Sequence, residues 1–332
     1  MVEINRQILL DNRPQGAASA SNFRLVETPL VPLGEGQVRV RNHYLSLDPY
    51  MRGRMNDTKS YTAPQALGAV MIGGTAGVVA ESRNPKFQPG DAVAGMNGWQ
   101  EYGTSDGAGL QKIDATRIPL SAYLGPVGMP GVTAWHGLNR ICEPKSGDTV
   151  AVSAASGAVG SVVGQLAKRL GCRVVGIAGG AEKCRYVVEE LGFDACVDYK
   201  TGDLDTALKA AAPAGIDAYF DNVGGTILDS VMALMNAHGR IAVCGAISGY
   251  DGAARAMRNP TLILISRLKM QGFIVSEHMQ DWPPALKELG ALVASKQLKY
   301  RETIAQGLAS APEAFLGMLK GRNFGKQLVK LI

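Results

Sequence analysis

The chain has 332 residues, of which 46% are hydrophobic and 19% charged. This implies two globular domains with sizeable cores and excludes a largely disordered protein. Its 34 basic and 29 acidic residues give a formal charge of +5. The basic residues are scattered along the chain, which excludes a nucleic-acid-binding stripe but suits an anionic ligand.

Residues 1–126 read as short strands broken by turns. Residues 37–44 alternate apolar and polar side chains, as a half-buried strand does. Pro32, Gly34, Gly73, Gly74, Pro89 and Gly90 punctuate the stretch, and long helical periodicity is missing. A compact β domain is expected. The character changes at residues 126–131, after which strand-like and helix-like segments alternate. Residues 148–155 read as a strand. Residues 157–170 read as a helix whose Val159, Val162, Val163, Leu166 and Leu170 share one face, with Gly171 as its stop. Further strands are expected at 173–178, 195–199, 216–221, 240–245 and 270–275. Six strands joined through helices predict an α/β doubly wound parallel sheet. The stretch from residue 300 is mixed, and residues 326–332 are expected to pair back onto the first domain.

The first residues lack the apolar segment of a secretion signal, and no run has the apolar length of a membrane helix. A cytoplasmic protein is expected. The five cysteines, Cys142, Cys172, Cys184, Cys196 and Cys244, form no C-x-x-C pair and read mostly as small core residues. His43, His136, His238 and His278 lie far apart, so local zinc-ligand spacing is absent.

The first strong functional signal runs from Ser153 to Gly160, between a predicted strand and a predicted helix. It has the form A-x-x-G-x-x-G, a variant of the dinucleotide-binding turn. Ala154 lets the chain turn, Gly157 lets the backbone approach a pyrophosphate, and Gly160 lets helix and strand pack closely. Ala158 and Val159 lie between them, where the helix start offers N–H groups and a partial positive charge to phosphates. An NADH site usually carries an acid at the end of the second strand. Residues 177–181 contain none, while Lys183 follows closely and Arg185 lies beyond. NADPH is therefore the expected cofactor.

These residues also carry a resemblance. The chain resembles the zinc-independent medium-chain dehydrogenase/reductases, within the group of prostaglandin (leukotriene) reductases, alkenal double-bond reductases and bacterial curcumin reductases. The matching segments are residues 45–52 (LSLDPYMR), 128–134 (GMPGVTA), 154–161 (AASGAVGS), 179–184 (GGAEKC), 219–225 (YFDNVGG), 244–248 (CGAIS) and 323–326 (NFGK). Residues 44–55 and 175–185 carry the likeness to the bacterial curcumin reductases.

The resemblance implies a GroES-like domain from residues 1–126 and 300–332, with a Rossmann NADPH-binding domain over 127–299. It implies an NADPH-dependent ene reductase and a homodimer. Carried over residue by residue, it places Gly179, Lys183 and Tyr199 around the 2′-phosphate. Asn222 and the turn of Cys244, Gly245, Ala246 and Ile247 would lie along the cofactor. Phe273 and Val275 would meet the nicotinamide carboxamide, with Asn323 and Gly325 closing the site from the last segment. Tyr50, Tyr61 and Tyr250 would face the substrate.

Zinc enzymes of the same superfamily carry an early cysteine, a G-H-E segment and a four-cysteine loop. This chain has Asn42-His43-Tyr44 and no cysteine before Cys142. No metal site is expected. Hydride would then pass to the β-carbon of an enone or enal, and hydrogen-bond donors would stabilise the charge developing on the carbonyl oxygen. Tyr250 is the first candidate donor, with the cofactor's ribose 2′-hydroxyl as a second and Tyr250 or water protonating the α-carbon. Two other readings stay open: an NADPH:quinone oxidoreductase, and a non-catalytic NADPH-binding redox sensor.

Overall fold

A computed structural model of the chain describes residues 3–252 and 256–332. The chain forms two units, one comprising Met1–Leu124, Glu302–Asn323 and Gln327–Ile332, the other Gly125–Arg301 and Phe324–Lys326. Among the described residues no helix is long and apolar enough to cross a membrane.

The first unit is built on a seven-stranded sheet. Its order is Glu302–Gln306, Lys326–Lys330, Val38–Ser46, Thr75–Ser82, Ala92–Gly95 and Gln111–Lys112, with Tyr102–Ser105 also paired to Val38–Ser46. The terminal run does return to this sheet: Leu328, Val329 and Lys330 lie antiparallel to Ser46, Leu45 and Tyr44. Strand Val38–Ser46 departs from simple alternation, since Arg39 and Asn42 are buried. The cause is its central place. The Arg39 guanidinium is held by Glu81 at 2.8 Å and by the Val31 carbonyl, and Asn42 Nδ2 donates to the Gln100 carbonyl at 2.9 Å. Beside the sheet lies an aromatic core. Phe23 stacks on Trp99 at 5.3 Å, and Phe315 meets Trp99 edge-on at 5.6 Å.

The second unit carries a six-stranded sheet in the order Ala195–Asp198, Arg173–Ala178, Thr149–Ser153, Ile216–Asp221, Met235–Val243, Lys269–Gly272, all parallel. The strands read as apolar runs because helices cover both faces of such a sheet; Val150, Val152, Val174, Val175, Ile177, Tyr219 and Phe220 are all buried. Sequence order reverses between Thr149–Ser153 and Ile216–Asp221. This is the switch point where doubly wound sheets open a crevice at their carboxyl ends.

Two boundaries move from the expected ones. The helix expected over residues 157–170 runs Gly160–Arg169, starting after residue 157, because the Gly157 N–H closes a tight turn onto the Ala154 carbonyl at 2.8 Å. The last strand stops at Gly272, and Val275–Glu277 turns into a short 3-10 helix. Phe324–Lys326 falls with the second unit, where the sequence reading put all of 300–332 with the first. Phe324 packs edge-on against Tyr186 at 4.9 Å under the Arg301 guanidinium, and the Lys326 N–H donates to the Arg301 carbonyl.

Candidate cofactor and active site

Every cofactor residue expected in the second unit follows the carboxyl end of a strand, except Gly325. Ala154 follows the first strand, Gly179 the second, Tyr199 the third, Asn222 the fourth, Cys244 the fifth and Phe273 the sixth. The crevice floor is stitched across the switch point. Asn222 donates from its backbone N–H to Ser153 Oγ at 2.8 Å and from Nδ2 to the Ser153 carbonyl at 2.7 Å. Asp221 is buried, and its Oδ1 accepts from Tyr219 Oη at 2.8 Å and from the N–H groups of Val223 and Gly224, each at 2.9 Å. These bonds fix the two strand ends that flank the crevice.

The turn at Ala154–Gly160 has the tightness its sequence requires. Ala154 adopts a left-handed backbone with φ of 49°. A Cβ on Gly160 would lie 2.4 Å from the Ala154 carbonyl oxygen and 3.0 Å from Ala155 Cα, so only glycine lets the helix start this close. The helix has no side-chain cap at Val159. Its first turn is tied to the backbone of the preceding turn: the Ser161 N–H donates to the Gly157 carbonyl at 3.1 Å, and the Val162 and Val163 N–H groups both donate to the Val159 carbonyl at 3.0 Å. What this helix start offers an anion is therefore chiefly the positive end of its dipole. Ala158 and Val159 stay half-buried beside Gly157. Gly325 lies opposite Gly157 in a parallel backbone bridge, which brings the late segment onto this turn.

The end of the second strand forms a cationic corner. A Cβ on Gly179 would meet Tyr199 Oη at 2.9 Å and Lys200 Cε at 2.8 Å. Lys183 is half-buried, and its ammonium is held below the usual lysine range first by burial and then by Lys200. Lys200 did not emerge from the sequence reading; its one signal was its place directly after Tyr199 at a strand end. An acid is near as well: Asp198 Oδ1 accepts the Gly180 N–H at 2.8 Å and the Lys200 N–H at 3.0 Å. Its oxygen is thus engaged by backbone, and the two lysines give the corner its positive sign. A phosphate between them would relieve their repulsion, so these residues fit the 2′-phosphate of NADPH.

Further along, the Cys244 thiol is pushed up to about 12 by burial and then by Asp221, which makes it a packing residue and not a nucleophile. The Gly245 N–H donates to the Asp221 carbonyl at 3.2 Å. Ala246 and Ile247 lead into the short turn Ile247–Gly249. Tyr250 then folds back: its hydroxyl stands 3.5 Å from where a Cβ on Gly245 would lie. Phe273 and Val275 are buried, and Trp282 Nε1 donates to the Val275 carbonyl at 3.1 Å. Residues 253–255, inside the 251–260 loop beside Tyr250, lie outside the described residues.

Tyr50, Tyr61 and Asn323 belong to the first unit. Tyr50 opens the helix Tyr50–Arg54, and its phenol is pushed up by burial, by Asp48 and by Tyr61, which places the two tyrosines in one electrostatic neighbourhood. Tyr61 is 54% exposed.

The open parallel sheet, its small-residue turn at the switch point and the lysine corner beyond define a nucleotide-binding oxidoreductase architecture. Comparison with known proteins agrees. The N-terminal domain of oxidoreductase family matches residues 6–113, and the zinc-binding dehydrogenase family matches residues 158–291. The chain belongs to the medium-chain dehydrogenase/reductase family. It is 47% identical to the NADPH-dependent curcumin reductase of Escherichia coli (strain K12), over 98% of this chain and 97% of that protein. It is 44% identical to the NADP(+)-dependent 2-alkenal reductase of Nicotiana tabacum, with the same two coverages, 98% and 97%. The crystal structure of CurA from Vibrio vulnificus in complex with NADPH matches with a TM-score of 0.93 at 44% identity, over 98% of this chain and 99% of that one.

Proposed function

We propose that the protein is an NADPH-dependent ene reductase, reducing the carbon–carbon double bond of α,β-unsaturated ketones and aldehydes without a metal. The observation that carries the reading is the return of the Tyr250 hydroxyl over Gly245, on the turn next to Asn222. Relatives named as curcumin and alkenal reductases supply the substrate class.

The Ala154–Gly160 turn would hold the pyrophosphate, and Lys183, Lys200 and Tyr199 the 2′-phosphate. Asn222 and residues 244–247 would line the cofactor, and Phe273 and Val275 its nicotinamide end, with Asn323 and Gly325 closing the site. NADPH supplies, when bound, the hydride for the β-carbon. Tyr250 Oη donates to the carbonyl oxygen as negative charge develops there. A phenol is a weak acid, so its value lies in a positioned hydrogen bond more than in full proton release. Tyr50 and Tyr61 provide flat surfaces for a conjugated substrate. Zinc has no part in this scheme. A cytoplasmic homodimer completes the reading; size-exclusion with light scattering checks the assembly.

The test is NADPH oxidation with linear enals, aryl enones and benzoquinone on the wild type and Tyr250→Phe. Enone turnover should exceed quinone turnover and fall about a hundredfold in the variant, the usual worth of one charge-stabilising donor, with NADPH binding retained. Preference for benzoquinone would instead favour a quinone reductase, and no turnover of any acceptor a redox sensor.

A further inference from the structure

Two of the four histidines, remote in sequence, meet in the second unit. His136 and His278 stack with ring centroids 4.1 Å apart and planes inclined by 24°. His136 also lies against Phe273, with centroids 5.2 Å apart. His136 ends the helix Met129–His136, and its side chain is buried. Its Nδ1 lies 2.8 Å from Asp281 Oδ2. The other oxygen of this buried carboxylate accepts from Arg140 Nε at 3.2 Å and Nη2 at 2.9 Å.

These contacts assign the protons. Burial alone would raise the Asp281 carboxyl, but hydrogen bonds from Arg140 and His136 outweigh it and hold the group below the usual carboxylate range. Asp281 is therefore an anion and can only accept. The shared proton sits on His136 Nδ1. Burial holds the imidazole below the usual histidine range, with His278 and Arg140 acting in the same direction and Asp281 opposing them. His136 is thus a neutral ring in one tautomer, and it cannot turn over without breaking a charge-assisted bond.

The same segment governs what lies in front of it. A Cβ on Gly137 would stand 2.4 Å from Phe220 and 2.9 Å from Phe273, so the missing side chain beside His136 is what lets both rings close in. Trp282, next to Asp281, holds the Val275 carbonyl. Phe273 is packed by Phe220 and His136, while Val275 is tied through Trp282.

We infer that Asp281 and His136 form a positioning pair for the Phe273–Val275 segment, setting the wall against which the nicotinamide end of the cofactor lies. The inference rests on the proposed reading in which Phe273 and Val275 face that end. Neither Asp281 nor His136 needs to touch cofactor or substrate. Arg140 serves as the anchor that keeps Asp281 ionised.

The test has two arms. The first needs no turnover. Nitrogen-15 NMR of ring-labelled protein should find His136 protonated on Nδ1 and bare on Nε2 at pH 7.5, and Asp281→Asn should abolish that single-tautomer signature. The second is kinetic. Asp281→Asn should lower kcat with an enone about ten- to a hundredfold, the size of effect a small misplacement produces, with little change in the NADPH KM. It should also move the acid limb of the kcat profile to lower pH, since the carboxylate that favours imidazolium is gone. Asp281→Glu should recover part of kcat. A His136 protonated on Nε2 in the wild type, or an Asp281→Asn enzyme with unchanged kcat and acid limb, would overturn the assignment. Should Asp281→Asn not fold, Arg140→Gln, at a half-exposed side chain, tests the anchor. It should lower kcat and move the acid limb to higher pH, since a charge that disfavours imidazolium is gone, and an enzyme with unchanged kcat and acid limb would overturn the assignment. Failure of the ene-reductase reading is separate: it would show as no turnover of any enone by the wild type, with the NMR result standing.

Discussion

Gly325 faces Gly157 across a parallel backbone bridge, so a residue from the last segment of the chain closes onto the turn expected to carry the pyrophosphate. Gly325 has φ of 73°, and a Cβ there would lie 1.9 Å from the Arg301 carbonyl oxygen. Gly325→Ala should therefore cost more than the ~1–2 kcal/mol of a left-handed alanine alone. A fall of several degrees in the midpoint by calorimetry, with a raised NADPH KM, is the expected pair of results. A variant as stable as the wild type would show that the bridge gives way freely.

The lysine corner yields a cofactor prediction. Lys183→Ala and Lys200→Ala should each raise the NADPH KM about tenfold or more, as expected for losing one charged hydrogen bond of ~1.5–3 kcal/mol. The NADH KM should barely move. Steady-state kinetics with both cofactors decides it; equal effects on the two would remove the phosphate role.

The cysteines should differ in reactivity. A hydrogen bond from the Cys196 thiol holds Cys184 below the usual thiol range, and the same bond, with burial, pushes Cys196 up. Burial pushes Cys142 up to about 12. The thiolate is the reactive form. Iodoacetamide followed by peptide mass spectrometry over a pH series should label Cys184 first and leave Cys142 untouched. Cys196→Ala should shift the Cys184 midpoint upward. Equal labelling of Cys142 and Cys184 would contradict the arrangement.

Acid should weaken the fold in two stages. His136 is held below the usual histidine value of ~6.5, so between ~6.5 and its folded value the unfolded chain binds more protons, and stability falls as pH falls. His43, lowered by burial and then by Arg41 and Lys330, acts in the same sense. Asp281 is also depressed, so its contribution is present above ~3.9 and is lost as pH drops through its folded value. Urea midpoints from pH 8 to 5 should show the first stage, reduced but not removed in His136→Asn. A slope identical to the wild type would place His136 outside this linkage.

Much of this fold could be read from the chain because its physics is local. Parallel strands buried on both faces must be apolar runs, and the turn at Ala154–Gly160 must carry small residues whatever follows it. The strand starting at Ile216 and the helix bearing Val162, Val163 and Leu166 lie where periodicity puts them. What escaped depends on packing between distant segments. His136 ends one helix, while His278 caps and Asp281 ends the short turn Met279–Asp281 far along the chain, and no spacing rule relates His136 to either. Arg39 looks like an outward residue until Glu81 and the Val31 carbonyl are seen to enclose it. Val275 continues an apolar run that looks like strand, but Trp282 holds its carbonyl in a turn. Lys200 was one position beyond a residue already singled out, and only the approach of Gly179 to both side chains shows that the pair works together.

The pairing of Leu328 and Val329 with Ser46 and Leu45 has a consequence for biosynthesis. A ribosome emits Val38–Ser46 early and its partner strand only after the Gly125–Arg301 span has emerged. The nascent β sheet must therefore wait with one flank of that strand partly unpaired, a state open to wrong partners. The nucleotide-binding sheet has all its strands in hand well before then. Translation pauses between Arg301 and Lys326 would lengthen the wait, and chaperone capture should be strongest on chains stalled before Lys326.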